Sequence, residues 1–284
     1  MGLSLEEYKK LIDLTPYPRP ETVDTVEERM QICDRLLKFL LKERGMIAAF
    51  SASYEKKRSL VRGYMNERTA LPIPSDMLEI QDKLFWTESL ERGIVDVSTI
   101  PEIKYGISLW EGDIIRLNAD GILNAANKSL LGCFLSGHNC LDNVIHSFAG
   151  MQLRRDCARI MAQQGQEEDI GDAKVTCAYN LPSKYVLHSV APMIGREVTE
   201  QERAQLRSCY TSSLYLAQEL GLKSLALCCI GTGVFNFPRS EAAEIAVGAV
   251  VKWKMHNPES ELKVIFNTFL AEDTAIYKEI LGLI

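Results

Sequence analysis

Three residues of one short loop have the side chains and the spacing of a metal-binding group. They are Cys133, His138 and Cys140, and Gly132 and Gly137 allow the chain around them to turn tightly. Thiolate and imidazole are ligands that Zn²⁺ prefers in proteins. The pattern therefore predicts a zinc site, and the competing interpretation is two unlinked buried thiols beside a surface histidine.

The number of protein ligands distinguishes two kinds of zinc site. Structural sites usually have four protein ligands, whereas catalytic sites have three and an open position. The loop holds no obvious fourth ligand, although folding could bring in Cys157, Cys177, His146 or His188. The sequence leaves this choice open, and each of the two histidines is more often a satisfied core residue than a catalytic one.

Polar side chains on both sides of this loop suit a ligand with vicinal hydroxyl groups. Asn124 and Asn127 precede the loop, and their amides can donate and accept hydrogen bonds. Asp142 follows it at the start of a predicted helix, where the helix dipole favours the ionised carboxylate. Asp142 is therefore a candidate general base, although a plain helix cap is the better explanation of this residue taken alone.

Two further loops carry groups suited to a nucleotide-like ligand. In the first, Asp113 and Ile114 follow a glycine, and the carboxylate can accept a hydrogen bond from an exocyclic amine such as that of adenine. The second is the run Gly231-Thr232-Gly233-Val234-Phe235, whose glycines let backbone N–H groups approach a phosphate. This run is neither a P-loop nor a dinucleotide fingerprint. Ordinary glycine turns are the alternative for both loops.

Strands and helices alternate beyond residue 100 and would position these loops. Short apolar runs predict strands at Ile107–Trp110, Ile114–Leu117, Gly121–Ala125, Tyr185–Val190, Leu225–Ile230 and Leu262–Phe269. Helical periodicity predicts helices from Asp142 to near Gly165, from near Thr199 to Gly221 and from Ser240 to near His256. The alternation predicts an α/β layered fold with ligands at the carboxyl ends of strands.

Residues 1–75 are predicted to form an N-terminal helical region. Thr25 and Glu28 have the spacing of a capping box, and apolar residues then recur at helical spacing until Gly45. The segment Leu71-Pro72-Ile73-Pro74 forms a break before the main domain. The simplest expectation is that this region only packs against the rest of the chain.

Composition and charge exclude several classes of function. The 284 residues are 46% hydrophobic and 25% charged, which is typical of a globular protein with a core. A net charge of -6 argues against a nucleic-acid partner, because phosphate binding favours a basic surface. The sequence shows no secretion signal and no membrane-spanning run, so no membrane association is expected. The eight cysteines are then expected as reduced thiols or metal ligands in the cytoplasm.

Together these motifs resemble the macrodomain family over residues 76–284. The matching segments follow the family's order and are Gly112-Asp113-Ile114, Asn124-Ala125-Ala126-Asn127, Asp142-x-x-Ile145-His146-x-x-Ala149-Gly150, Gly171-Asp172-Ala173, Leu181-Pro182-Ser183-Lys184-Tyr185, His188-x-x-x-Pro192 and Gly231-Thr232-Gly233-Val234-Phe235. Where common hydrolytic macrodomains carry a run of glycines, this chain has Cys133, His138 and Cys140. That replacement, together with the N-terminal extension, is similar to the zinc-dependent macrodomain class found beside sirtuins in microbial operons.

The resemblance implies a three-layer α/β/α sandwich with a mixed central sheet and a cleft for ADP-ribose. By position, Asp113 and Ile114 would contact the adenine, and Phe269 would lie near its face. The loop from Gly231 to Phe235 would hold the diphosphate.

The same resemblance assigns roles around the distal ribose of ADP-ribose. Asn124, Asn127 and Asp142 would address this ribose, and Asn127 and Asp142 would be the catalytic residues. Cys133, His138 and Cys140 would hold Zn²⁺ beside them.

The resulting hypothesis is a zinc-dependent hydrolase that removes mono-ADP-ribose from protein side chains, as esters of acidic residues. The alternative is a reader module that binds ADP-ribose without turnover and uses a structural zinc. A weaker third hypothesis is a phosphatase acting on ADP-ribose 1″-phosphate. The family context suggests a sirtuin-type ADP-ribosyltransferase as a partner and a lipoyl-carrier protein as the modified substrate.

Overall fold

The computed structural model describes residues 2–47 and 51–283. Their helices are α1 (Leu5–Tyr8), α2 (Val26–Lys42), α3 (Tyr54–Glu67), α4 (Ser75–Arg92), α5 (Leu141–Ala149), α6 (Met151–Gln164), α7 (Glu200–Glu219), α8 (Arg239–His256) and α9 (Ala271–Ile280). Their strands are β1 (Val95–Asp96), β2 (Glu102–Lys104), β3 (Ile107–Glu111), β4 (Leu117–Asn118), β5 (Gly121–Ala126), β6 (Ala173–Cys177), β7 (Tyr185–Val190), β8 (Ser224–Leu227) and β9 (Lys263–Thr268).

A seven-stranded sheet in the order β2-β3-β9-β8-β5-β7-β6 forms the centre of the fold. The five inner strands are parallel to one another, whereas β2 and β6 at the two edges are antiparallel to their neighbours. Inner strands of this kind are covered on both faces, so their sequences are almost continuously apolar. Ile122 and Leu123 of β5 are completely buried. The predicted mixed central sheet is confirmed.

Helices cover the sheet and complete the three predicted layers. Helix α5 contacts β5, and α6 contacts β6. Helix α7 contacts β6, β7 and β8, α9 contacts β3 and β9, and α8 packs between α7 and α9. One continuous apolar core joins these helices to the sheet. The α/β/α sandwich predicted from the sequence is confirmed.

The N-terminal helices α2, α3 and α4 share an apolar cluster of their own, which includes Leu36, Leu84 and Phe85. The predicted cap at Thr25 is confirmed, because its side chain accepts a hydrogen bond from the N–H of Glu28. Helices α3 and α4 pack on α5. The division of the chain at residue 75 stays a prediction. In the described part of the chain, no helix is long and apolar enough to cross a membrane.

The predicted strand at Ile114–Leu117 is wrong. Residues Ile114–Arg116 form a 3-10 turn instead, and only a two-residue strand follows it. Asp113 caps this turn, since its side chain accepts a hydrogen bond from the N–H of Ile115 at 3.2 Å. Ile114 and Ile115 are both buried, which the alternating faces of a half-buried strand would not allow.

The predicted single helix from Asp142 to Gly165 is also wrong, because Gly150 divides it into α5 and α6. Gly150 has φ = 108° and ψ = 175°, a conformation open to glycine but not to a residue in a helix. A Cβ atom at this position would lie 2.6 Å from Gln81 Nε2 and 2.7 Å from Gln152 Oε1. The close approach of these two amides explains why the chain needs glycine here.

The remaining predicted elements agree with the structure to within a few residues at their ends. The largest difference is the strand predicted at Leu225–Ile230, since β8 ends at Leu227 and the next residues already belong to a loop. The sequence did not predict strands β1, β2 and β6 or helices α1, α3, α4 and α9 as separate elements.

Substitution of Gly150 by alanine tests the importance of this helix break. We expect Gly150→Ala to lower the free energy of unfolding by about 2–4 kcal/mol, because it combines backbone strain with a clash. Gly165→Ala is the matched control, since Gly165 ends α6 with φ = 70° and has open space where the Cβ would lie. The free energy of unfolding of the control is expected to fall by only about 1 kcal/mol. Urea denaturation measures both losses, and equal losses would contradict this explanation of the break.

Candidate functional site

A cleft of about 570 Å³ lies at one edge of the sheet. The loops that follow the neighbouring parallel strands β3, β9, β8 and β5 all line it. Parallel strands present their carboxyl ends at the same edge, so residues far apart in the sequence meet there. The cleft therefore brings together the three loops that the sequence singled out.

The side chains of Cys133, His138 and Cys140 converge at this cleft. Their ligand atoms all lie within 4.8 Å of one another, and Cys133 Sγ is 3.5 Å from His138 Nδ1. Sulfur and nitrogen ligands of a tetrahedral zinc ion lie about 3.5 to 3.8 Å apart. The three atoms thus need only a small movement to surround one ion, and the predicted grouping of these residues is present.

The chemistry of these donors also suits a cation. Burial raises the pKa of the Cys140 thiol to about 11, and the neighbouring Cys133 contributes to this shift. A bound cation would favour the thiolate form of Cys140, because its charge offsets the cost of burying that thiolate. All three residues are half-buried, so the group is accessible from the cleft.

The four residues considered as a fourth ligand lie elsewhere. The ring of His188 is hydrogen-bonded to the side chains of Asn124 and Thr176. The thiol of Cys177 donates hydrogen bonds to backbone carbonyl oxygens of the N-terminal segment. Cys157 Sγ lies 3.8 Å from His188, deep in the core. His146 lies beside Asp142. Among the described residues, only Cys133, His138 and Cys140 form a group with metal-ligand geometry.

Asp142 lines the cleft although its side chain is only 7% exposed. Burial raises the pKa of its carboxyl to about 6, against the lowering effects of the Asn124 amide, the Arg154 charge and the Asn127 N–H group. His146 Nε2 lies 3.5 Å from Asp142 Oδ1, at the outer limit of a hydrogen bond. Asp142 is thus a desolvated acceptor facing a ligand cleft.

The two asparagines predicted to contact the ribose occupy different positions. Asn124 is completely buried behind Asp142, donates from Nδ2 to Asp142 Oδ1 at 2.8 Å, and does not line the cleft. Its Oδ1 atom has no hydrogen-bond partner within the residues that the structure describes. Asn127 does line the cleft, but its amide closes the loop by donating to Gly132 O and accepting from Ser129.

The loop from Gly231 to Phe235 forms the wall of the cleft next to β8. Gly231 has φ = 85°, and the loop is closed where Phe237 N donates to Gly231 O at 3.0 Å. In residues 2–47 and 51–283, the N–H groups of Gly233, Val234 and Phe235 donate to no protein acceptor. A row of free N–H groups at a concave surface is a binding site for an anion such as a phosphate.

Asp113, Ile114 and Phe269 line the same cleft, next to the ends of β3 and β9, and their contact with an adenine stays a prediction. Phe269 follows β9 and is 69% exposed, so its ring is free to stack on a flat ligand. One oxygen of Asp113 is used by Ile115, and the other makes no hydrogen bond in the described part of the chain.

Several further residues line the cleft that the sequence patterns did not single out, among them four with polar or large apolar side chains near the predicted groups. Leu135 and Asn139 belong to the loop of residues 131–140, which carries Cys133, His138 and Cys140 and is called the metal loop. Arg239 and Asp273 come from α8 and α9 and form an ion pair with each other. Leu135 carries a signal that could have been used, because it is a large apolar residue in a polar, glycine-containing loop. The ion pair between Arg239 and Asp273 gives no signal in the sequence, since the two residues are separated by 34 positions.

Comparison with known proteins agrees with this arrangement. The Macro domain model matches residues 123–246. The chain is 41% identical over 261 residues to the Staphylococcus aureus protein named protein-ADP-ribose hydrolase, covering 90% of this chain and 97% of that protein. It is 40% identical to a Fusarium oxysporum protein named probable bifunctional ADP-ribose hydrolase/ADP-ribosyltransferase, covering 80% of this chain and 41% of that protein.

A solved structure shares the architecture. The Trypanosoma brucei macrodomain in complex with ADP-ribose is 25% identical and superimposes with a TM-score of 0.58, covering 92% of this chain and all of that one. Three observations support the same family assignment. They are the sheet order, the cleft at the carboxyl ends of parallel strands and the extent of the sequence similarity. The chain therefore belongs to the macrodomain family.

Proposed function

We propose that this protein is a zinc-dependent hydrolase that removes mono-ADP-ribose from modified protein side chains. The observation that carries the proposal is the convergence of Cys133, His138 and Cys140 in the same cleft as Asp142 and the free N–H groups of the loop after β8. A metal group with three protein ligands, placed beside a carboxylate in a ligand cleft, is typical of a catalytic site. The name of the Staphylococcus aureus relative supports the same activity.

The volume of the cleft, about 570 Å³, lies in the range of sites for small-molecule ligands, and its lining suits ADP-ribose. In the proposed complex, Asp113 and Ile114 contact the adenine and Phe269 stacks on it. The loop from Gly231 to Phe235 binds the diphosphate through its backbone N–H groups. Asn127 and Asp142 then address the distal ribose at the metal end. The Trypanosoma brucei macrodomain structure, which contains ADP-ribose, supports this class of ligand.

Zinc held by Cys133, His138 and Cys140 would polarise an oxygen of the substrate or lower the pKa of a bound water molecule. Asp142, once ionised, orients the attacking water molecule toward the linkage and accepts its proton, which is released to solvent with the products. Asn124 holds the carboxylate in place by donating to Oδ1. The products are ADP-ribose and a free side chain.

We propose that the linkage is an ester of aspartate or glutamate and that the protein acts in the cytoplasm. A lipoyl-carrier protein is the proposed substrate, modified by a sirtuin-type ADP-ribosyltransferase. The name of the Fusarium oxysporum relative, which joins a hydrolase to an ADP-ribosyltransferase, supports a functional link between the two activities.

Substitution of Asp142 by asparagine tests the proposed role of its carboxylate. We expect Asp142→Asn to lower the release of ADP-ribose from an acidic-residue-modified protein by at least about 100-fold, because an amide cannot accept a proton. Gel or mass-spectrometric release assays measure this loss. Asp120→Asn is the matched control, since Asp120 lies at the other end of β5 and pairs with Lys184 outside the cleft. Equal activity of the two variants would contradict the role given to Asp142.

Removal of the metal tests the zinc dependence. We expect incubation with a strong chelator to abolish release and added Zn²⁺ to restore it. Binding of ADP-ribose, measured by calorimetry, is expected to persist, since most of the cleft is formed without the metal loop. Release that is insensitive to the chelator would remove zinc from the mechanism. Tight binding with no release over hours would favour the reader module instead.

Metal analysis of a cysteine variant separates a catalytic from a structural zinc. We expect one zinc per wild-type chain and far less in Cys133→Ala, which is expected to be inactive but folded. The fold should survive because hydrogen bonds from Asn127, Asn143 and Arg154 hold the backbone of the loop without a metal. Circular dichroism and thermal melting measure this. The control is Cys177→Ala, which changes a cysteine outside the cleft and is expected to keep its zinc. A Cys133→Ala variant that does not fold would indicate that the zinc ion is structural.

A further inference from the structure

Helix α3 of the N-terminal region lies directly against the metal loop. Three of its residues, Arg62, Gly63 and Asn66, fall on one face of the helix and contact residues 136–139 of the loop. Asn66 follows Arg62 by four positions and Gly63 by three, so it neighbours both of them on the surface of the helix. The contacts bridge more than 70 positions of sequence.

Arg62 binds the part of the loop that carries the histidine. Its Nη2 atom donates to the backbone oxygen of His138 at 2.9 Å and to Asn139 Oδ1 at 3.0 Å. Its Nε atom donates to Ser147 Oγ on α5 at 3.2 Å. One planar guanidinium therefore connects α3, the loop and α5, and hydrogen bonds from a charged donor are among the stronger ones.

Asn66 is 1% exposed and uses both ends of its amide. Its Oδ1 atom accepts a hydrogen bond from the N–H of Gly137 at 3.0 Å, and its Nδ2 atom donates to Ser147 Oγ at 2.8 Å. Gly137 has φ = 66°, so this bond fixes the loop at the point where its backbone is most adaptable.

The helix approaches the loop closely. A Cβ atom at Gly63 would lie 2.6 Å from Ser136 Oγ, so a larger residue would require this hydroxyl group to move. From the other side, Asn143 of α5 donates to the same His138 oxygen at 2.9 Å. The backbone of His138 is thus held between two helices.

We propose that Arg62 and Asn66 are positioning residues that hold the metal loop in its ligand geometry, so that α3 sets the affinity of this loop for zinc. The proposal rests on the zinc site of the proposed function. A loop that already has its bound conformation loses less entropy when the ion binds, whereas a loop that has it only part of the time binds proportionally more weakly. The two glycines and the exposed Leu135 and Ser136 give the loop little rigidity of its own.

The test is the zinc affinity of full-length variants, measured by competition with a chromogenic chelator. We expect Arg62→Gln and Asn66→Ala each to weaken zinc binding by about 10-fold, which is the lower end of the effect of residues that orient metal ligands. The zinc affinity of Arg62→Lys is expected to lie between those of Arg62→Gln and wild type, because the lysine ammonium group keeps a charged donor but lacks the planar fork of arginine. Amide hydrogen exchange of residues 132–140 in the metal-free variants is expected to be faster than in wild type.

Arg44→Gln is the matched control. Arg44 also joins two helices of the N-terminal region, through a 2.7 Å ion pair with Glu67, but does not touch the loop. This variant is expected to bind zinc as wild type does. Wild-type affinity and loop exchange in both Arg62→Gln and Asn66→Ala would overturn the inference, as would an equal loss of affinity in the control. A wild-type chain that binds no zinc would overturn the proposed zinc site and this inference with it, so the two failures are distinguished.

Discussion

The parallel alignment of β3, β9, β8 and β5 is the constraint on which the site depends. Their carboxyl ends meet at one edge of the sheet, so one cleft receives the loops that follow all four. Each loop supplies one part of the cleft lining: a carboxylate at Asp113, an exposed ring at Phe269, free N–H groups after β8, and the Cys133, His138 and Cys140 group after β5. The order of these parts along the cleft follows from the order of the strands in the sheet.

The N-terminal helices join this sheet through buried polar groups as well as apolar contacts. Asp82 of α4 accepts hydrogen bonds from Gln152, Asn180 and Tyr17, which belong to three different parts of the chain. Arg154 donates to the backbone oxygen of Leu131 in the metal loop and to that of Met65 in α3. Buried groups with full hydrogen bonding permit only one relative placement of the parts they connect.

Local patterns predicted much of the site, and long-range contacts account for what they missed. Cys133, His138 and Cys140 are close in sequence, so their spacing alone predicted the group that the structure contains. The position of Asn124 behind Asp142 depends on the pairing of β5 with β7 and on the fold of α5, which no local pattern encodes. The helix break at Gly150 could not be predicted from the local sequence either, because the amide side chains that crowd it come from α4 and α6.

Asp142 lowers the stability of the folded protein at neutral pH, because its carboxyl group is buried. Its carboxyl pKa of about 6 lies above the usual value, so folding favours the protonated form. The stabilisation that this protonated form provides is present at low pH and is lost as the pH rises through about 6. At neutral pH the folded chain therefore carries a charge that its surroundings disfavour. A side chain without charge at this position would make a more stable protein, but it would lack the carboxylate that the proposed reaction uses, which is the usual trade-off at active sites.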